Sequence, residues 1–212
     1  MDGLPVAGVD VGGPKKGFHA VLLREGAIAS DGIRHSVSAK EIAAWCRDRR
    51  ALVIGVDAPC RFRAAGGEAR LAERELMRER MACFVTPTLE KARTQPSGFY
   101  DWMLNGAELY RELERSHALF AGGAWRAGRP ICFETFPHAI ACALAGRRLP
   151  ASEKRVARRN LLNNAGIDVS KLPNLDYLDA ALCAFAASYL AIGSFKLYGD
   201  LEGGLIVVPK LR

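Results

Sequence analysis

The chain has 212 residues, half of them hydrophobic, which is enough to bury one substantial core without disulfide staples. Thirty Lys and Arg residues against 23 Asp and Glu residues give a net charge of +7, which favours a polyanionic partner without requiring one. No apolar run reaches the length of a membrane span, so we expect no membrane partner.

The six cysteines are scattered, with neither a CxxC pair nor a Cys/His cluster at zinc-binding spacing. Most have apolar neighbours, which is typical of buried, reduced thiols. We expect no secretion signal, because a predicted strand already begins at Val6. These observations predict a cytoplasmic protein. They leave the oligomeric state open, a homodimer included.

The first predicted strand carries one carboxylate, Asp10, and breaks at once into Gly12, Gly13 and Pro14. A buried Asp costs free energy unless a partner satisfies it, and the glycines allow a ligand to approach the backbone. Residues 18–23 predict a returning strand, so this turn belongs to a hairpin. An Asp that merely satisfies turn amides is the alternative interpretation.

The next elements lead to a second carboxylate. Residues 27–35 predict a third strand, and a capping box at Ser38 and Glu41 predicts a helix to about residue 50. The apolar run 52–56 predicts a strand buried on both faces, and it ends in Asp57. We expect residues 60–128 to form a mostly helical insertion over one end of the sheet, within a single domain 1–212.

The second half of the chain adds three more carboxylates. Residues 131–133 predict a strand that ends in Glu134, before a helix that carries His138. The last long helix begins with Asp176 and Asp179, which leave one helical face, and the tail 199–209 predicts a turn and an edge strand. Between the helix that carries His138 and the last long helix lies a basic segment, which predicts a surface amphipathic helix or, alternatively, a contact with phosphate. Its basic residues are Arg147, Arg148, Lys154, Arg155, Arg158 and Arg159.

Carboxylates at strand ends and at a helix start converge at one edge of an α/β sheet. The negative charges of such carboxylates repel one another unless cations neutralise them. Mg²⁺ and Mn²⁺ are the expected cations because these hard ions prefer oxygen ligands. Ions held by shared carboxylates serve phosphodiester hydrolysis. The predicted metal ligands are Asp10, Asp57, Glu134, Asp176 and Asp179.

Four motifs occur in the order seen in the domain-of-unknown-function family numbered four hundred and twenty-nine, whose members are described as predicted ribonuclease-H-like nucleases. They are Gly8-Val9-Asp10-Val11-Gly12-Gly13, Val56-Asp57-Ala58-Pro59, Glu134-Thr135-Phe136-Pro137-His138-Ala139 and Asp176-Tyr177-Leu178-Asp179-Ala180. More widely, the chain resembles the Holliday-junction-resolvase branch of the ribonuclease H fold, which lacks the insertion. The resemblance implies a mixed five-stranded sheet flanked by helices, with a helical insertion after the fourth strand.

Carried over, the resemblance makes Asp10 the first-strand ligand, Asp57 the second, and Asp176 with Asp179 the helical pair. Glu134 is an addition of the family itself.

The chain is thus predicted to be a divalent-metal-dependent nuclease or related phosphodiester hydrolase acting on nucleic acid. Lys16, or its neighbour Lys15, neutralises charge on phosphate, and His138 relays a proton. One alternative is an actin-like nucleotide-binding or phosphotransferase domain, with phosphate turns at residues 10–13 and 200–204. Another is a non-catalytic nucleic-acid-binding module. Whether the substrate is DNA, RNA or a nucleotide does not follow from the sequence.

Overall fold

The computed structural model of the chain describes residues 3–150 and 154–211. Within this part, seven helices flank one mixed sheet of eight strands, which confirms the predicted α/β class. The strands are β1 (Val6–Val11), β2 (Phe18–Arg24), β3 (Ala27–Ser36), β4 (Val53–Asp57), β5 (Ala118–Leu119), β6 (Ile131–Thr135), β7 (Phe195–Asp200) and β8 (Gly204–Pro209). The helices are α1 (Ala39–Asp48), α2 (Leu71–Arg78), α3 (Leu89–Thr94), α4 (Asp101–Leu113), α5 (Pro137–Ala145), α6 (Lys154–Asn164) and α7 (Leu175–Ala191).

The strand order is β3-β2-β1-β4-β6-β8-β7, and β5 pairs with β6 beside this path. The strands β1, β4, β6 and β8 run parallel, whereas β2 and β7 run antiparallel to their neighbours. Because β1, β4 and β6 are parallel neighbours, their carboxyl ends meet at one edge of the sheet. This edge is where the predicted carboxylates begin to gather.

The predicted number of five strands is wrong. The structure adds the two-residue β5 and the strand β7. The strand predicted in the tail is β8, and it lies between β6 and β7 rather than at the edge of the sheet. Strand β7 has a charged and glycine-containing sequence, FKLYGD, without the alternation that marks a strand. It forms because the turn at Gly203 and Gly204 folds it back on the apolar β8 and because α2 packs on it.

The hairpin between β1 and β2 is closed by backbone hydrogen bonds within its glycine-rich turn. The Gly12 amide donates to the Gly17 carbonyl at 2.8 Å, and Gly17 itself has a φ of +68°, which favours glycine. This closure fixes the register of the hairpin, so that Asp10 lies opposite His19. The predicted hairpin is therefore present, and its register decides what faces Asp10.

Helix α7 lies directly on the backbone of β1 and β4. The paired residues Gly8 and Gly55 face it, and a Cβ at Gly8 would overlap the backbone of Ala180 and Ala184. The alanines of α7 complete this contact because their side chains are equally small. The close approach brings the first turns of α7 next to the carboxyl ends of both strands.

The segment between β4 and β6 contains α2, α3 and α4, which together account for only 27 residues. The expectation of a mostly helical insertion at 60–128 is therefore wrong. Prolines and glycines keep the remainder irregular. Helix α4 nevertheless reaches the carboxyl edge: Asn105 donates to the Gly12 carbonyl at 2.8 Å, and Gly106 lies against Ala58.

None of the described helices is both long and apolar enough to cross a membrane. All six cysteines lie in the described ranges as free thiols.

Candidate metal centre

Three aspartates meet at the carboxyl edge of the sheet. Asp10 and Asp57 are register partners in the parallel pair of β1 and β4, so their side chains leave the same face. That face is the one covered by α7, whose second turn supplies Asp179. One carboxylate oxygen from each of Asp10, Asp57 and Asp179 lies within 4.8 Å of the others. The structure thus brings together three of the predicted ligands.

Asp10 occupies the centre of this group and is nearly inaccessible to solvent. Burial raises its pKa to about 7, and the neighbouring Asp179 carboxylate adds to the rise. Burial likewise raises the pKa of Asp57, with a further contribution from Asp10. Asp10 Oδ2 is buried without a hydrogen-bond partner within residues 3–150 and 154–211. Asp10 therefore offers a lone pair that no hydrogen-bond donor in the described chain occupies.

A second group shares Asp10 and lies toward β2. It contains Asp176 and His19, whose ligand atoms also lie within 4.8 Å of one another and of Asp10. The ammonium of Lys16 lies 2.7 Å from Asp176 Oδ1 and 3.7 Å from Asp10 Oδ2. Burial lowers the pKa of Lys16, but the hydrogen bond to Asp176 and the Asp10 charge outweigh it and raise the pKa overall. Asp176 therefore lies at the rim of the centre.

Asp179 has a cationic partner of its own, because buried Arg158 of α6 donates to Asp179 Oδ1. Burial raises the pKa of Asp179 to about 6, and the Arg158 guanidinium limits the rise. Helix α6 is amphipathic, with Lys154 and Arg155 exposed, but Arg158 lies on its buried side. An amphipathic pattern locates the apolar stripe of a helix but does not show which of its cations borders that stripe.

Two neighbouring arginines of α6 also bind the chain itself. Arg155 donates to the Pro173 carbonyl at 3.1 Å, and Arg159 donates to the Val169 and Leu172 carbonyls. These bonds hold the loop that leads into α7. They weaken the interpretation of this helix as a phosphate contact, since its arginines already have partners.

Glu134 does not join the aspartates. In the pairing of β4 with β6 it lies opposite Val56, one residue before Asp57, and therefore leaves the other face of the sheet. There its two oxygens accept from Arg70, at 2.6 and 2.8 Å, and the Cys60 amide donates to it at 2.9 Å. The structure thus does not bring Glu134 together with the three aspartates and gives it a buried ion pair instead.

His138 also lies apart from the carboxylates. Its Nε2 is 3.8 Å from Cys142 Sγ, and its ring stacks edge-on against Phe136. Burial lowers its pKa, with the Arg158 charge contributing. It belongs to neither group of ligand atoms, so the predicted role as a proton relay has no support in the geometry.

Sequence reasoning missed His19, Arg158 and Arg70. His19 could have been identified from the hairpin register, because a six-residue turn closed by Gly12 and Gly17 sets it opposite Asp10. The two arginines left no such signal. Their partners are far away in the sequence and come into contact only through packing.

The donor set fits a divalent cation. Carboxylate oxygens of Asp10, Asp57 and Asp179 converge, one of the Asp10 oxygens is unsatisfied in the described structure, and burial raises the pKa of all three acids. A bound cation would offset the repulsion between the carboxylates and the cost of burying their charge, because it stabilises the ionised form. Hard oxygen donors suit Mg²⁺ or Mn²⁺.

Fold and site define a mixed α/β protein with a buried aspartate cluster at the carboxyl edge of its parallel strands. Residues 8–202 match the family model described as "Protein of unknown function (DUF429)", and the chain belongs to that family. Among solved structures, the chain is similar to one titled "Thermus thermophilus RuvC structure", at 19% identity and a TM-score of 0.42, over 89% of this chain and 96% of that one. No curated protein matches it.

Proposed function

We infer that the chain is a divalent-metal-dependent phosphodiester hydrolase, with nucleic acid as its substrate class. The observations that carry this proposal are the convergence of Asp10, Asp57 and Asp179 and the buried Asp10 oxygen that lacks a hydrogen-bond partner in the described structure. A bound Mg²⁺ or Mn²⁺ would supply charge stabilisation to the phosphate and would activate a water as the nucleophile. The three aspartates are the residues that would hold it.

Two cationic residues of the site, Arg158 and Lys16, place positive charge next to the aspartates. Asp179 is oriented by Arg158, which holds the carboxylate toward β1 and β4. Lys16 is half exposed, since 48% of its side chain is accessible, and it can contact a phosphate oxygen at the rim. The proposal assigns catalysis neither to Glu134 nor to His138.

An exposed aromatic cluster at the first turn of α4 supports nucleic acid as the substrate class. Phe84 and Phe99 are 64% and 51% exposed, and the Phe84 ring lies 5.8 Å from that of Phe99 and 6.3 Å from that of Trp102. Trp102 is one helical turn before Gly106, which packs against the loop after β4. Exposed aromatic rings stack on unpaired bases, and the net charge of +7 attracts the backbone.

The actin-like alternative has less support. It needs a second phosphate turn at residues 200–204, but these residues form the turn between β7 and β8. There the Gly203 amide donates to the Asp200 side chain at 2.6 Å. An amide already bound in this way does not cradle a phosphate.

The test combines ion binding with hydrolysis. Mn²⁺ binding is measured by calorimetry, and cleavage is measured on single-stranded DNA, single-stranded RNA, duplex DNA and a nitrophenyl phosphodiester. Wild type, Asp10→Asn and Asp57→Asn are compared with Asp48→Asn, a control because Asp48 is an exposed residue of α1. We expect wild type and the control to bind Mn²⁺ and cleave, and both site variants to lose these properties.

Cleavage that persists in chelator or in Asp10→Asn would rule out the proposed mechanism. Ion binding without cleavage of any substrate would favour the non-catalytic module. The aromatic cluster is tested separately with Phe84→Ala and Phe99→Ala. Loss of stacking costs about 1–3 kcal/mol per base, so single-strand affinity should fall while Mn²⁺ binding stays unchanged.

A further inference from the structure

Lys16 reaches the carboxylates because of the glycine that precedes it in the turn. The stem of Lys16 lies across Gly12, where a Cβ would be only 2.7 Å from Lys16 Cγ. This path directs the ammonium back toward the sheet, to 2.7 Å from Asp176 Oδ1 and 3.7 Å from Asp10 Oδ2. Its neighbour Lys15 is exposed and makes no ion pair within the described chain.

The two carboxylates that Lys16 contacts belong to the second group of metal-binding atoms, together with His19. His19 Nδ1 lies 4.0 Å from Asp10 Oδ2, and His19 Nε2 lies 4.0 Å from Asp176 Oδ2. The His19 side chain is only 9% exposed, and its Nδ1 has no hydrogen-bond partner in the part of the chain that is described. A buried, unpartnered nitrogen therefore faces the position beside the ammonium.

The charges of the centre agree with a single divalent ion. The four aspartates of the centre carry four negative charges when all are ionised, and Lys16 and Arg158 provide two positive charges. The balance is two negative charges, which one divalent ion neutralises. Without the ammonium, one further negative charge would remain beside His19.

We propose that Lys16 takes the place of a second metal ion. The wild-type chain then binds one divalent ion, at Asp10, Asp57 and Asp179. Removing the ammonium opens a second position at Asp10, Asp176 and His19, with an imidazole nitrogen among its ligands. This inference rests on the metal site of the proposed function, but it concerns the number of ions and not the reaction.

The experiment counts ions. Bound Mn²⁺ is measured by electron paramagnetic resonance and equilibrium dialysis for wild type, Lys16→Met and the control Lys15→Met. Methionine keeps an apolar stem to lie across Gly12, and Lys16→Gln serves if Lys16→Met does not fold. We expect one Mn²⁺ in wild type and in Lys15→Met, and two in Lys16→Met.

A double variant identifies the added ligand. His19→Phe keeps a ring to pack against His35 and Tyr177, whose centroids each lie 4.7 Å away, but it removes the nitrogens. Combined with Lys16→Met, it should return the count to one ion.

The failures are distinguishable. Two ions in wild type, or one in each folded Lys16 variant, would overturn the inference and leave the proposed function intact. Two ions in the double variant would overturn the role of His19. If wild type binds no Mn²⁺ at millimolar concentration, the proposed metal site and this inference both fail.

Discussion

The buried charge of Asp10 should make the metal-free chain lose stability as the pH rises. The native pKa of Asp10 is about 7, raised by burial and then by Asp179 from an ordinary value of 3.8. The native carboxyl thus holds its proton more tightly than the unfolded one. Its contribution to stability is fully present below the unfolded pKa and is lost as the pH rises from about 4 through about 7.

The change Asp10→Asn removes this dependence. One pKa unit corresponds to about 1.4 kcal/mol, so a shift of about three units makes ionised Asp10 cost the native state about 4 kcal/mol at pH 8. We expect Asp10→Asn and wild type to be nearly equal at pH 4 and the variant to be more stable by up to about 4 kcal/mol at pH 8. For a chain of this length, that is about 10 °C in melting temperature.

The measurement is urea denaturation in chelator between pH 4 and pH 8, with Asp48→Asn as the matched surface control. A difference between variant and wild type that stays constant with pH would refute the reasoning, as would a variant that is less stable at pH 8. Adding Mn²⁺ should narrow the difference between variant and wild type. At 100 times its dissociation constant, an ion that binds only the native state adds about 2.7 kcal/mol to wild type and little to Asp10→Asn.

Three further substitutions test the surroundings of the centre. Arg158→Met removes the cation paired with a site carboxylate, so it should lower the free energy of unfolding without metal by about 3–5 kcal/mol. Mn²⁺ should stabilise this variant more than it stabilises wild type, and thermal melts measure both effects. Arg70→Met breaks a buried pair on the other sheet face and should cost a similar amount, while calorimetry shows unchanged Mn²⁺ binding in the protein that remains folded. Gly8→Ala should displace α7 and abolish Mn²⁺ binding, whereas Gly13→Ala, where the new Cβ meets nothing within 4 Å, should not.

The convergence of the aspartates was predictable because their positions follow from local patterns. Asp10 lies near the end of an apolar run and Asp57 ends one, and such runs locate the strands of a parallel sheet. Asp176 and Asp179 begin an alanine-rich helix with a polar start. Each of these signals lies within about ten residues of sequence.

The role of Glu134 could not be predicted in this way, because it depends on the parity of its strand. Side chains alternate between faces, so a difference of one residue in register moves a carboxylate to the other side of the sheet. An apolar run shows that a strand exists but does not fix its register against a neighbour. Arg70 and Arg158 are harder still, since a buried ion pair between distant segments has no local pattern.

The ion pair of Glu134 with Arg70 also determines which parts of the chain can move independently. Arg70 contacts Glu73 within α2, and its Nη1 lies 3.3 Å from the Gly203 carbonyl in the turn between β7 and β8. Through the Cys60 amide, the same network includes the chain just after β4. Separating α2 from the sheet would leave these charges buried and unpaired. We therefore expect helix α2 to unfold with the sheet as one cooperative unit and its amides to exchange with solvent as slowly as those of the central strands.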